Sequence, residues 1–168
     1  SSTNISSRYY QGQRNAIRKS RESAVMVRST ALSFFGATST SSGTYFIARG
    51  RPYVVTVQHG IHGPCWLVRI HTAEGVYECK EIVAMDEIND YAIIELTTPL
   101  QGRIPMKVPQ DLPRGPQGHR AYSLLNKIIY TGYPNVIGPL TLRGDVVGYT
   151  PDEQIYIFSH AYGGASGS

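Results

Sequence analysis

Long apolar runs are missing from this chain of 168 residues. None approaches the roughly 18 residues that a membrane span needs, so no membrane-crossing helix is expected. Long amphipathic helical patterns are missing too, which argues against a parallel α/β sheet with its helical crossovers. Cysteine is scarce: Cys65 and Cys79 stand alone. A small secreted protein stapled by disulfides usually carries more. The turn expected between these two lies off-centre, so two buried thiols and a reducing compartment are the expectation. No group of His, Cys and carboxylate side chains has metal-ligand spacing, so neither a metal nor an organic cofactor is expected. The opening Ser1-Ser2-Thr3-Asn4 does not read as a secretory leader.

Acidic residues are nearly absent from the first thirty positions. Arg8, Arg14, Arg18, Lys19, Arg21 and Arg28 face Glu22 alone, while the rest of the chain is close to neutral. The overall charge of +4 therefore belongs to an N-terminal arm. Such an arm can draw RNA or an anionic surface to residues 1–30 through long-range charge. No aromatic platform accompanies it, so a solvated linker or a surface helix is the competing reading.

What is abundant points to β structure. Seventeen glycines, ten prolines and twelve tyrosines suit short strands joined by tight turns. The basic arm spans 1–24, with a short helix around Gln13–Ser23. Strand-like segments follow at Ala24–Val27, Ala31–Phe35, Gly43–Ala48 and Tyr53–Val57, the last two joined by Arg49-Gly50-Arg51-Pro52. Further segments are Trp66–Ile70 and Val76–Cys79 around Ala73-Glu74-Gly75, then Glu81–Met85 and Tyr91–Leu96. Residues 99–120 are rich in proline and glycine and read as a connection between two β units, 25–98 and 121–168. Three more strands are expected at Lys127–Tyr133, Leu140–Tyr149 and Gln154–Ser159. Evenly spaced short strands of this kind build barrels or sandwiches.

Three local patterns carry chemistry. Val55-Thr56-Val57-Gln58-His59-Gly60 ends a β-branched run on a histidine. Asp90-Tyr91-Ala92-Ile93-Ile94 places an aspartate before an apolar strand. Gly163-Gly164-Ala165-Ser166-Gly167-Ser168 holds a serine in a glycine-rich turn. A serine hydroxyl needs a base to act as a nucleophile at neutral pH. Imidazole suits that task, and a carboxylate fixes its tautomer and stabilises its cation. Glycines beside the serine allow backbone N–H groups, those of Gly164 and Ser166, to converge on an oxyanion. Each pattern alone is common. Their conjunction, in the order His, Asp, Ser with a proline-rich break before the serine, is informative.

On these motifs the chain resembles the chymotrypsin-like (trypsin-fold) serine proteases. Thr56-Val57-Gln58-His59 is similar to that family's Thr-Ala-Ala-His, Asp90-Tyr91-Ala92-Ile93 to its Asp-apolar-Ala-Leu, and Gly164-Ala165-Ser166-Gly167 to Gly-Asp-Ser-Gly. Ser42-Gly43-Thr44-Tyr45-Phe46 resembles the strand that packs near the base. The resemblance implies an all-β fold of two antiparallel six-stranded barrels, with His59, Asp90 and Ser166 as a catalytic triad in the cleft between them. It implies a polypeptide substrate, an acyl-enzyme and no cofactor. It places His160 at the floor of the specificity pocket, where it could donate to a Glu or Gln side chain. Compact spacing suits small family members, among them HtrA-like proteases and the sobemovirus and astrovirus polyprotein proteases. Ala165 and Ser168 depart from the HtrA serine motif, so a viral polyprotein protease in host cytoplasm or virion is the expectation. Gly60 stands where secreted members have a cysteine. His62 and Asp86 are rivals to His59 and Asp90. The family builds two further strands after its serine, so the second barrel is expected to be incomplete at its C-terminus. A non-catalytic protease-like barrel, serving as capsid, scaffold or RNA-binding module, is the alternative.

Overall fold

The computed structural model describes residues 2–32, 36–108, 127–133, 139–149, 155–158 and 166–168. It opens with a helix, α1 (Ser2–Ser23). This is longer than the helix read from Gln13 to Ser23, because no proline interrupts residues 2–12 and Gly12 is tolerated in open space. The helix ends where β-branched Val25 and Val27 begin an alternating run. Its last carbonyls are not left bare. Arg103 Nη1 donates to Arg21 O at 2.9 Å, and Ile104 N donates to Glu22 O at 3.0 Å.

Six strands then close a barrel: β1 (Ala24–Thr30), β2 (Thr38–Ala48), β3 (Arg51–Thr56), β4 (Val68–Thr72), β5 (Gly75–Asp86) and β6 (Tyr91–Leu96). Their order is β1-β2-β3-β6-β5-β4, all antiparallel, with β4 returning to β1. Alternate side chains point inward, and Val25, Val27, Tyr45, Val54, Val68, Ile70, Ala92, Ile94 and Leu96 fill the interior. Each fully buried Val, Ile or Leu contributes about 1.5–3 kcal/mol. The β2–β3 loop is the two-residue turn Arg49-Gly50, with φ of 51° and 73°, the primed geometry that matches strand twist. Register shifts at Cys79/Glu81 and Ile82/Ala84 let the long β5 bend around the barrel.

The start of β2 escaped sequence reading. Thr38-Ser39-Thr40-Ser41-Ser42 lacks the apolar alternation that marks a strand. It pairs because its hydroxyls fill one end of the barrel with hydrogen bonds. Ser39 Oγ donates to Gly60 O at 3.0 Å, Ser41 Oγ meets Thr56 Oγ1 at 3.2 Å, and Ser29 Oγ accepts from His62 N at 2.9 Å. Ser29, Ser41, Ser42 and Thr56 are all buried.

The expectation of two free thiols is corrected: Cys65 and Cys79 form a disulfide, with Cα atoms 5.5 Å apart. The hairpin register pairs Arg69 with Glu78, so an extended Cys65 would overshoot Cys79 by several residues. Instead Cys65–Leu67 winds into a 3-10 turn, which brings its first residue back over β5. The reducing-compartment expectation loses its basis with it.

The expectation for the second half is a six-stranded barrel incomplete at its C-terminus, and two full barrels are not seen among the described residues. Its described strands, β7 (Lys127–Gly132), β8 (Leu140–Tyr149) and β9 (Ile155–Phe158), form a three-stranded antiparallel sheet in the order β7-β8-β9. Of the proline-rich connection, residues 99–108 are described, and they pack on the first barrel. Leu100 is buried in the core, its amide donates to Tyr45 Oη, and Met106 N donates to Tyr45 O at 2.8 Å. Hydrogen bonds join the halves. Tyr133 N donates to the buried Ser42 Oγ at 2.8 Å, Ser20 Oγ to Thr131 Oγ1 at 2.7 Å, and Arg21 Nη1 to Thr141 Oγ1 at 2.9 Å. The end of α1 thus braces the sheet against the barrel.

Candidate active site

Strand β3 ends at Thr56, and the chain turns at once through the 3-10 segment Gln58–Gly60. Gly60 is required there by space: a Cβ would lie 2.8 Å from Ser41 Oγ. Its carbonyl is held by Ser39 Oγ. Ile61 drops into the core, and the His62 amide is bound by Ser29. With its neighbours pinned from three sides, His59 is left projecting from the rim of the barrel, its side chain 59% exposed.

Asp90 reaches the same rim from the β5–β6 turn. Asp86 shapes that turn: its Oδ1 accepts from Asn89 N at 2.8 Å, and its Oδ2 from Asn89 Nδ2 at 3.0 Å. Asp90 then adopts φ of 54°, a left-handed conformation that aspartate tolerates better than most residues. This backbone aims its carboxylate at the histidine. Asp90 Oδ2 lies 2.6 Å from His59 Nδ1, and Oδ1 accepts from the His59 amide at 2.9 Å. The His59 amide is the chief cause holding the Asp90 carboxyl below its ordinary value of 3.8, and the ring hydrogen bond adds to it. A carboxylate can only accept, so Nδ1 carries the proton and the Nε2 lone pair of the neutral ring is left for another donor. Asp86 is engaged with Asn89, and the group that meets Asp90 is His59, so neither His62 nor Asp86 stands in the pair.

Ser166 comes from the far end of the chain and is exposed. Its carbonyl accepts from Ser42 N at 2.7 Å. Gly167 follows at φ of 90° and lies so tightly against Ser42 O that a Cβ could not fit; Thr56 Oγ1 is 3.0 Å from that Cβ position. The glycine after the serine is thus explained by contact with the first barrel, at the strand that leads three residues later to His59. Sequence reading missed Ser42. Its amide binds Ser166, its hydroxyl accepts from Tyr133, and its carbonyl accepts from Thr56 Oγ1 at 2.8 Å. No local signal marks a serine in a Ser/Thr run as a junction. Gly164 and His160 lie outside the described residues.

No protein-family model and no curated protein sequence matches the chain. Solved structures do. The serine endoprotease from Yersinia pestis superposes with a TM-score of 0.66 at 16% identity, over 92% of this chain and 51% of that one. The Rv3671c protease from M. tuberculosis, in its active form, gives 0.64 at 17% identity, over 90% of this chain and 66% of that one. The chain therefore spans half to two thirds of their lengths. Identity this low speaks to architecture alone, and the architecture is the trypsin-like serine protease fold.

Proposed function

We propose that the chain is a serine endopeptidase that works through an acyl-enzyme, with Ser166 as nucleophile, His59 as base and Asp90 as the group that orients it. The observation that carries this reading is the two-point grip of Asp90 on His59, through the ring at 2.6 Å and the amide at 2.9 Å. That grip fixes the tautomer in which Nε2 can take the Ser166 proton and return it to the leaving amine. The backbone N–H groups of Gly164 and Ser166 are proposed to hold the oxyanion, at about 3–4 kcal/mol of barrier per well-placed donor. The substrate is proposed to enter as an added strand, with His160 at its side-chain pocket. A polyprotein containing this chain is the finer form of the proposal, and it rests on the departures at Ala165 and Ser168.

The test is stoichiometric labelling of Ser166 by a fluorophosphonate, together with hydrolysis of a casein substrate. We expect labelling that His59→Ala abolishes, and hydrolysis that falls by about 10⁶-fold in Ser166→Ala. Absence of both labelling and hydrolysis in the unaltered chain would favour a non-catalytic barrel module, and unchanged hydrolysis in Ser166→Ala would remove Ser166 as nucleophile.

A further inference from the structure

The outer wall of the barrel carries a group of cations that the reaction does not use. Strands β1 and β4 pair Arg28 directly with Arg69, and Met26 with His71. Directly opposed residues share a face, so the two arginines stand on one face of the sheet, with a histidine on the next pair of that face whose ring feels both charges. Like charges in that arrangement repel, and little near them compensates. Glu78 approaches Arg69 Nη2 only to 4.0 Å and is itself 68% exposed. Arg28 Nε is buried without a hydrogen-bond partner among the described residues. Arg69 Nη1 is tied to the carbonyls of Trp66 at 2.8 Å and Val68 at 3.1 Å, which fixes its guanidinium. Burial, then the charges of Arg28 and Arg69, lower the pKa of His71. A partly desolvated pair of like charges is an arrangement that a carboxylate would complete.

Position makes it relevant to the cleft. Arg28 opposes Thr40 on β2. Thr40 lies two residues from Ser42, whose amide holds Ser166; at the strand rise that is roughly 7 Å. On the other side of Thr40, Ser39 holds Gly60 beside His59. We propose that Arg28, Arg69 and His71 form an acid-binding subsite, which takes an Asp or Glu side chain of the polypeptide substrate a few residues from the scissile bond. The proposal rests on the endopeptidase reading for the identity of the bound chain. A compact group on two rungs suits one carboxylate better than the repeating charges of a nucleic acid.

The test uses Ser166→Ala protein and a fluorescent, otherwise uncharged peptide in which a single Glu is scanned along the sequence. Anisotropy should show roughly ten-fold tighter binding for Glu at one or two adjacent positions, the effect of one well-formed charged hydrogen bond. Arg28→Ala should remove the gain, and so should Arg69→Gln, which guards against misfolding of the first variant. The double variant Arg28→Glu with Arg69→Glu should shift the preference to Lys. An equal Glu gain in wild type and variants, no gain at any position, or displacement of the peptide by an RNA oligonucleotide at equal concentration would overturn the proposal. Fluorophosphonate labelling separates the two readings. Labelling without a Glu gain sinks the subsite alone. A Glu gain without labelling supports the acid-binding surface and sinks the endopeptidase.

Discussion

In their described residues the two halves of the molecule are built differently. The first closes six strands on themselves, so none of its ladders ends in an exposed edge, and a disulfide ties its 3-10 turn to β5. In the second, the described strands form a sheet of three, anchored to the first half by the Ser42, Thr131 and Thr141 hydrogen bonds. The proposed base and its orienting acid both sit on the closed half, and the proposed nucleophile arrives from the other. The lesson is that the imidazole–carboxylate geometry is a property of one barrel, whereas the approach of the serine depends on a junction.

The sharpest way to break this comparison is at the pair itself. Asp90→Asn should leave the barrel folded but lower kcat by about 10⁴-fold, since an amide permits the wrong tautomer. Retention of most activity in a steady-state assay would show that the two-point grip is structural only. The closed half should next prove sensitive to its staple. Cys65→Ser with Cys79→Ser opens a loop of 14 residues and should cost about 3 kcal/mol, read as a Tm lower by roughly 10 °C. An unchanged Tm would mean that barrel closure alone fixes the 3-10 turn. The junction should follow. Ser42→Ala strands the Tyr133 amide inside the protein and should cost about 1–3 kcal/mol. It should also reduce fluorophosphonate labelling of Ser166 more than it disturbs the His59 environment seen by NMR. Equal loss in both would deny the halves their separate roles.

The smallest effect is a pH dependence. Asp90 is held below its ordinary value of 3.8, so its ionised form contributes stability above that value, and the contribution fades as pH falls through the lower folded value. The difference in urea midpoint between wild type and Asp90→Asn should be constant above about pH 5 and shrink below about pH 4. A difference that grows toward low pH would contradict the sign.

Much of the candidate site was legible because its parts are local. His59 follows a β-branched strand, Asp90 precedes an apolar one, and each pattern survives in a single sequence. Strands rich in β-branched and apolar residues, such as Tyr53–Val57 and Tyr91–Leu96, were legible for the same reason. The polar start of β2 was not, since its hydroxyls are satisfied across the barrel by residues far along the chain. The disulfide was misread because a 3-10 turn, not a continued strand, sets the position of Cys65.

By itself the sequence determined the β character of the chain, a turn at Arg49-Gly50 and three candidate side chains, His59, Asp90 and Ser166, because these follow from residue type within a few positions. Tertiary structure alone showed the two-point contact of Asp90 with His59, that Cys65 bonds Cys79, that Ser42 joins the halves, and that Arg28 stands against Arg69. Those are contacts between residues 14 to 124 positions apart, and strand register, which no local pattern encodes, is what brings them within bonding distance.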